Sequence, residues 1–329
     1  MGVWHPGKIP KVREVMEAAL HHKEIIALQA VIVAVERAST EYKHLYRFEK
    51  EFSSQPHGIS VIVPVHNGAQ ELEDLLISLR NQSIDKSLYE AIFALNGCND
   101  ESLNLIEEFS AKSGVSTKII NSTFANVAKA RNSAIQLASF RFCTFIDHDD
   151  FISRNYLEEF LVLGDYRSVV VSNIVKMIDH LPHEDYAQRV IQAGFKDSLV
   201  HSADDISICY RAYTLNAIKS APTYMLKRVK FEEDLPHSED LQFWRRVFNE
   251  FMPITVKTPS LTDIYYRRVL DSSLSRKSEN FYQRAKPRLA ILDSIDREAK
   301  QHLCDSPQSK FDSQIKALLL ETLYNIGRQ

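Results

Sequence analysis

The 329 residues include 40 Lys and Arg against 43 Asp and Glu, a formal net charge of −3, with 44% hydrophobic and 25% charged content. That composition belongs to an ordinary soluble globule with ample core, and its near balance of charge excludes general nucleic-acid affinity, which needs a basic surface. At this length one large domain with appendages, or two domains, is expected.

Toward the amino end Val12, Val15, Met16 and Ala19, then Ile25, Leu28, Ile32 and Val35, recur at helical spacing. The apolar run Ile25–Val35 contains Gln29 and is too short to span a bilayer. Trp4, His5 and Pro6 lack the layout of a signal peptide. A cytoplasmic protein is expected, and Cys98, Cys143, Cys209 and Cys304, with no paired spacing for zinc or redox chemistry, read as free thiols there. Residues 1–56 are read as a helical extension closed by the break Ser53–Pro56. Its polar face is not strongly basic, which favours packing on its own domain or a partner subunit over membrane docking.

From Ile59 strands and helices alternate. Ile59–Val63 is apolar except for Ser60, as in strands buried on both faces. Leu72, Leu75, Leu76 and Leu79 predict a helix, Tyr89–Leu95 a second strand, and Leu103, Ile106 and Phe109 a helix capped by Asn99 or Asp100 and ended by Gly114. Thr117–Ile120 is a third strand, Val127–Ala138 a helix, Phe142–Ile146 a fourth strand, Tyr156–Leu163 a helix and Ser168–Ile174 a further strand. This order predicts an α/β fold with a mostly parallel sheet and helices on both faces. Ligands bind such sheets beyond the carboxyl ends of the strands, where Pro64–Gly68, Asn96–Asp100 and Asp147–Asp150 all fall. Leu181–Val200 reads as a surface excursion. Ser238–Phe251 reads as a helix with Leu241, Trp244, Val247, Phe248 and Phe251 inward. Beyond Arg276 the chain turns helical again, with Leu289, Leu292 and Ile295, then Ile315, Leu318, Leu319 and Leu323.

Asp147-His148-Asp149-Asp150 is the most informative stretch. In an extended chain Asp147 and Asp149 face one spot, and like charges that close are costly unless a cation or a shared proton relieves them. A hard divalent metal takes such oxygen ligands and keeps positions open for phosphates. The bland alternative is a solvated acidic turn that caps a helix beginning near Ser153. Asn96 carries a donor and an acceptor able to read a base edge. Arg131, early in its helix, suits phosphate. Asp240 sits ahead of a strongly apolar helix, a rigid mount for a general base, although acids in a first turn also serve the helix dipole. Lys227, Arg228 and Lys230 could meet an anionic acceptor or form a solvated basic turn.

Taken together and in order, residues 59–276 resemble the family-two glycosyltransferases of GT-A fold. Ser60 to Asn67 is similar to their opening strand, Ala130-Arg131-Asn132 to their Ala-Arg-Asn element, and Phe145 to Ser153 to the metal motif with its aromatic follower. Glu239-Asp240-Leu241 before Phe243-Trp244 resembles their Glu-Asp motif, and Tyr266-x-Arg268 with Ser273-x-Ser275 the loop over the diphosphate. The resemblance implies a catalytic domain over 57–276 between the helical extension 1–56 and a helical segment over 277–329. It implies Asp240 as base with Glu239 beside it, and Asp149 with Asp147 on Mn²⁺ or Mg²⁺. Pro64, His66, Asn67, Asn96, Arg131, Asp147, Arg268, Ser273 and Ser275 would then line the nucleotide-sugar site. Many relatives carry Asp-Asp-Gly-Ser where Leu95-Asn96-Gly97-Cys98 stands here, and a basic residue where Leu270 stands. The donor base is thus open between uracil, the first expectation, and another nucleotide.

The implied function is inverting, metal-dependent sugar transfer from a nucleotide-diphosphate donor to a saccharide or glycolipid acceptor in surface polysaccharide synthesis, in the cytoplasm or at the inner face of the membrane. The helical ends are candidates for homo-oligomer or peripheral membrane contacts. Two competitors remain. A haloacid-dehalogenase-type phosphohydrolase needs Thr or Val where Phe151 stands. An inactive binding or scaffold protein of the same fold is opposed by the intact Asp147, Asp149 and Asp240.

Overall fold

The computed structural model describes residues 48–235, 237–269, 281–299 and 306–326. The helices expected before residue 48 lie outside that set. Chain order runs α1 (Glu49–Ser54), β1 (Ile59–Val65), α2 (Leu72–Arg80), β2 (Tyr89–Asn96), α3 (Ser102–Ser113), β3 (Ser116–Ser122), α4 (Val127–Leu137) and β4 (Phe142–Phe145). It continues with β5 (Phe151–Ile152), α5 (Tyr156–Leu163), β6 (Ser168–Val171), β7 (Asn173–Ile178), β8 (Leu181–His183), α6 (Tyr186–Gly194), β9 (Val200–His201) and α7 (Ile206–Cys209). The remainder is β10 (Lys219–Pro222), α8 (Thr223–Arg228), α9 (Glu239–Phe251), β11 (Ile254–Lys257), β12 (Ile264–Arg268), α10 (Phe281–Glu298) and α11 (Pro307–Ile326).

The main sheet has the order β3-β2-β1-β4-β10-β6-β11-β9. β3, β2, β1 and β4 run parallel, β6 and β11 run parallel, and β10 is inserted antiparallel between β4 and β6. β1 is buried along its whole length, as its apolar run requires. Its one polar side chain, Ser60, is satisfied by donating to Glu90 Oε1 at 2.7 Å. Pro64 is tolerated in this central strand because pairing with β4 has already ended at Ile62, on the side its missing N–H would face.

A second sheet, β5-β12-β7-β8, lies beside the first. Here the structure corrects the reading of Ser168–Ile174 as one strand. The chain breaks at Ser172, whose N–H donates to Ile218 at 2.9 Å, while Asn173 donates to Asp263 Oδ1 and Ser260, both at 2.7 Å. These bonds turn β7 into the second sheet, where it pairs parallel with β12. The stretch read as a surface excursion contains β8 and α6. Of the apolar residues that mark the carboxyl-terminal helical chain, Leu292 and Ile295 are buried and Leu289 is 53% exposed, while Ile291 faces the core.

α9 carries Phe243, Trp244, Val247, Phe248 and Phe251 into the core with no exposure. Among the described residues no helix is long and apolar enough to cross a membrane. Glu159 on α5 is fully buried, and that burial, reinforced by Asp263, raises its carboxyl to about 8 from an ordinary 4.5. A carboxyl with a raised folded pKa contributes stability that is complete below its unfolded pKa and is lost as pH rises through the folded value. Glu159→Gln removes that loss. Relative to wild type, urea unfolding should show the variant gaining roughly 3 kcal/mol between about pH 5 and pH 8; an unchanged difference refutes the assignment.

Candidate active site

The carboxyl ends of β1, β2 and β4 lie side by side and bring three loops to one edge. After β1, His66 Nδ1 lies 2.6 Å from the Asn96 carbonyl, and Asn67, at φ 48°, accepts from the Asn99 N–H at 2.9 Å. Gly68 follows, and a Cβ there would stand 2.2 Å from His148 Cδ2. The Asn67-Gly68 turn thus runs close against the imidazole of the acidic loop. After β2, Asn96 is 6% exposed and its side-chain oxygen accepts from the Asn126 N–H. That acceptor is engaged inside the fold, which leaves the carboxamide N–H groups as the feature it can offer a base.

α4 is capped by Asn126, which accepts from Lys129 N at 2.9 Å. Its Arg131 is buried, with Nη2 3.1 Å from Asp147 Oδ1 and Nη1 2.8 Å from Glu239 Oε1. Phe231 lies 5.4 Å beneath the guanidinium and stacks on Phe243 at 3.8 Å. Asn132 holds Phe231 in place through its N–H and carbonyl, at 2.8 and 3.0 Å. Burial works against the charge of Arg131, but Asp147, Glu239 and Asp240 raise its pKa on balance.

The acidic loop is a turn, not the extended run assumed from sequence: Asp150 N–H donates to the Asp147 carbonyl at 3.1 Å. Two residues of β5 follow, so the next helix begins at Tyr156 rather than near Ser153. Asp150 is buried, accepts from Tyr265 Oη at 2.6 Å and from Arg268 N at 2.7 Å, and ties the loop to β12. Asp147 and Asp149 remain as the more open pair. Burial and the neighbouring Asp147 raise the carboxyl of Asp149 above its ordinary value, against His148 and Arg268. Among the described residues no cluster of three or more His, Cys, Asp or Glu forms a metal cage. The pair nevertheless fits a divalent cation that draws its other ligands from phosphate and water, because hard oxygen donors under mutual repulsion gain most from one.

Arg268 lies against the acidic loop with its guanidinium already committed. Nη1 meets Asp74 at 2.9 Å, Nη2 donates to the Glu71 carbonyl at 2.5 Å and Nε donates to the Asp149 carbonyl. Ser273 and Ser275 lie outside the described residues. Asp240 is half-buried and accepts from Leu241 N at 2.8 Å. Burial and Glu239 raise its carboxyl to about 6, opposed by Arg131 and Lys219.

Sequence reasoning missed Lys219. This fully buried lysine of β10 donates to the carbonyls of Ala212 and Leu215, lies 4.5 Å from the Trp244 ring, and has its pKa lowered to about 7 by burial against the pull of Asp240. Its one sequence signal is a lysine in an otherwise uncharged strand. Asp74 also escaped notice, because its partner Arg268 lies far away in the chain.

Comparison with known proteins bears on the fold and the family. Residues 60–222 match the family model described as Glycosyl transferase family 2. The poly(ribitol-phosphate) β-N-acetylglucosaminyltransferase TarS of Staphylococcus aureus is 26% identical over 194 residues, 57% of this chain and 32% of TarS. The poly(ribitol-phosphate) β-glucosyltransferase of Bacillus spizizenii is 31% identical over 250 residues, 73% of this chain and 37% of that protein. The chain thus spans about a third of the length of these relatives. The crystal structure of TarS 1-349 in complex with UDP-GlcNAc superimposes with a TM-score of 0.64 at 20% identity, over 82% of this chain and 73% of that one. The mannosyltransferase PcManGT of Pyrobaculum calidifontis, in complex with GDP-Man and Mn²⁺, gives 0.58 at 14% identity, over 92% and 85%. At those identities the likeness is one of fold.

Removing one partner of a buried ion pair leaves the other charge uncompensated. Arg131→Gln should therefore cost roughly 3 kcal/mol of stability. Thermal or urea unfolding at neutral pH measures it, and a variant as stable as wild type would show that the guanidinium is not what balances Asp147 and Glu239.

Proposed function

We propose that this chain, which carries a family 2 glycosyl transferase domain, moves a sugar from a nucleotide-diphosphate donor to an acceptor hydroxyl with inversion at the anomeric carbon. The observation that carries the reading is the buried Arg131, joined to Asp147 on the donor side and to Glu239 beside Asp240 on the other. A fixed cation there draws a nucleotide diphosphate toward the acidic loop while Asp240 faces the incoming hydroxyl. A UDP-sugar is the first candidate donor, supported by the UDP-GlcNAc of the TarS structure. A saccharide or glycolipid of the cell surface is the candidate acceptor, and a polyol-phosphate polymer joins it on the strength of the poly(ribitol-phosphate) in the relatives' names.

Asp240 accepts the proton of the acceptor O–H. The acceptor oxygen forms its bond to the anomeric carbon as the bond from that carbon to the diphosphate oxygen breaks, and the electron pair leaves on the nucleoside diphosphate. A single displacement of this kind inverts the anomeric carbon. Pro64, His66, Asn67 and Asn96 would shape the cradle for the base and ribose, and Arg131 would bear on the departing charge. Asp149, with Asp147, would hold Mn²⁺ or Mg²⁺, which when bound supplies charge neutralisation for the diphosphate. Arg268, held against Asp74 and Asp149, would fix the loop that carries these ligands.

Asp240→Asn should lower transfer by about 10²-fold or more, the scale of general-base assistance, while nucleotide binding stays within twofold. Near-normal turnover by that variant removes Asp240 from the role. The base must be ionised, so kcat/KM should rise with pH through an acid limb near the Asp240 value of about 6, set by burial, Glu239, Arg131 and Lys219. The limb should be absent from binding of the donor alone. Calorimetric titration with UDP, GDP and CMP, each with Mn²⁺ and again with EDTA, tests the donor site separately. Metal-dependent binding of one nucleotide is expected, and failure of all of them sinks the transferase reading in favour of an inactive scaffold.

A further inference from the structure

The helix that bears Glu239 and Asp240 is held from behind by chain far beyond the matched family domain. At about 100° per residue, Gln242, Arg245 and Asn249 lie roughly 200°, 140° and 180° around α9 from Asp240. Trp244, Val247, Phe248 and Phe251 fall on Asp240's own side, against the sheet. Gln242, Arg245 and Asn249, on the side opposite, are each bonded to the carboxyl-terminal helices. Gln242 Nε2 donates to Ser294 Oγ at 3.1 Å, and Ser294 in turn donates to Glu298 at 2.7 Å. Arg245, with no exposure, makes a two-pronged contact with Asp312 at 2.6 and 2.9 Å and meets Glu298 at 2.8 Å. Asn249 donates to the same Asp312 oxygen at 3.2 Å.

Buried ion pairs seldom out-compete packed apolar side chains for stability, but a forked Arg–carboxylate contact fixes direction and register, which apolar surfaces do not. A fixed mount matters here because α9 has no side-chain cap at its start, where Ser238 takes a left-handed conformation at φ 64°. Its first turn therefore depends on Arg131 in front and on the polar stripe behind.

We propose that Arg245 is a positioning residue for the acceptor-activating base, and that α10 and α11, through Asp312, Glu298 and Ser294, form the backing plate that sets where Asp240 stands. This rests on the reading of Asp240 given above. The substitution pair Arg245→Met with Asp312→Leu exchanges the ion pair for apolar packing of similar size and keeps the fold. In the full chain, hydrogen exchange of the first turn of α9 should rise at least tenfold. Turnover of a UDP-sugar should fall at least tenfold in kcat with donor KM within twofold, and the acid limb of kcat should move to lower pH as Asp240 gains solvent. If the pair fails to fold by circular dichroism, Asp312→Asn alone is held to the same criteria. Exchange and kcat both within twofold of wild type overturn the proposal. Wild-type protein without turnover defeats the assignment of Asp240 instead, and the exchange measurement then decides the mount by itself.

Discussion

The guanidinium of Arg131 joins two distant parts of the chain: the end of β4 through Asp147 and the start of α9 through Glu239, 16 and 108 positions away. Taking such a group out of water costs several kcal/mol unless carboxylates surround it, and here Asp147, Glu239 and Asp240 do so. The balance then tips the other way. Asp147, Asp149, Asp150, Glu239 and Asp240 outnumber Arg131, Arg268 and Lys219, and Asp149, Asp150 and Asp240 all have raised pKa values, with burial the largest cause in each. A site short of positive charge has affinity for protons and for cations. A general base wants the first property and a place for a metal-bound diphosphate wants the second.

The second sheet supplies the complementary constraint. β12 returns beside β5 and delivers Tyr265 and Arg268 to the acidic turn, where Asp150 receives both a hydroxyl and a backbone N–H. Arg268 continues to Asp74 and the Glu71 carbonyl, so the start of α2 is tied to the same turn. Gly68 allows His148 to lie against the first loop, where any side chain would meet the ring. The loops of β1 and β4 are thereby fixed in relation to each other before any ligand arrives, which lowers the ordering cost of binding one.

Alternation of buried strands and amphipathic helices was plain through Leu163, because a parallel sheet writes its burial as continuous apolar runs such as Ile59–Val63. That legibility ended where the chain changed sheets. Ser172 sits inside an apolar run and carries no turn signal, and the bonds that divert it come from Ile218 and Asp263. Asp147, Glu239 and Arg131 could be named from order and motif, and the structure brings them together. The division of labour among the aspartates could not be read, since Asp150 is distinguished from Asp149 only by Tyr265, 115 residues away. Lys219 was illegible for the same reason. Its burial against Trp244 is a property of packing, and no local spacing encodes it.

A further consequence follows from where the two halves of the site lie along the chain. β1 to β4 carry the loops that would cradle a nucleotide, and their geometry is dictated by the sheet itself, whose strand ends leave little freedom. Asp240, the proposed base, stands on α9, which is not part of that βαβ alternation and takes its orientation from three sides: Arg131, the aromatic core of Phe231, Phe243 and Trp244, and the polar stripe under α10 and α11. Small shifts of the carboxyl-terminal helices would therefore alter the direction from which the proposed base meets an acceptor hydroxyl and leave the proposed donor cradle untouched. Such an arrangement lets acceptor choice diverge through residues that touch neither substrate.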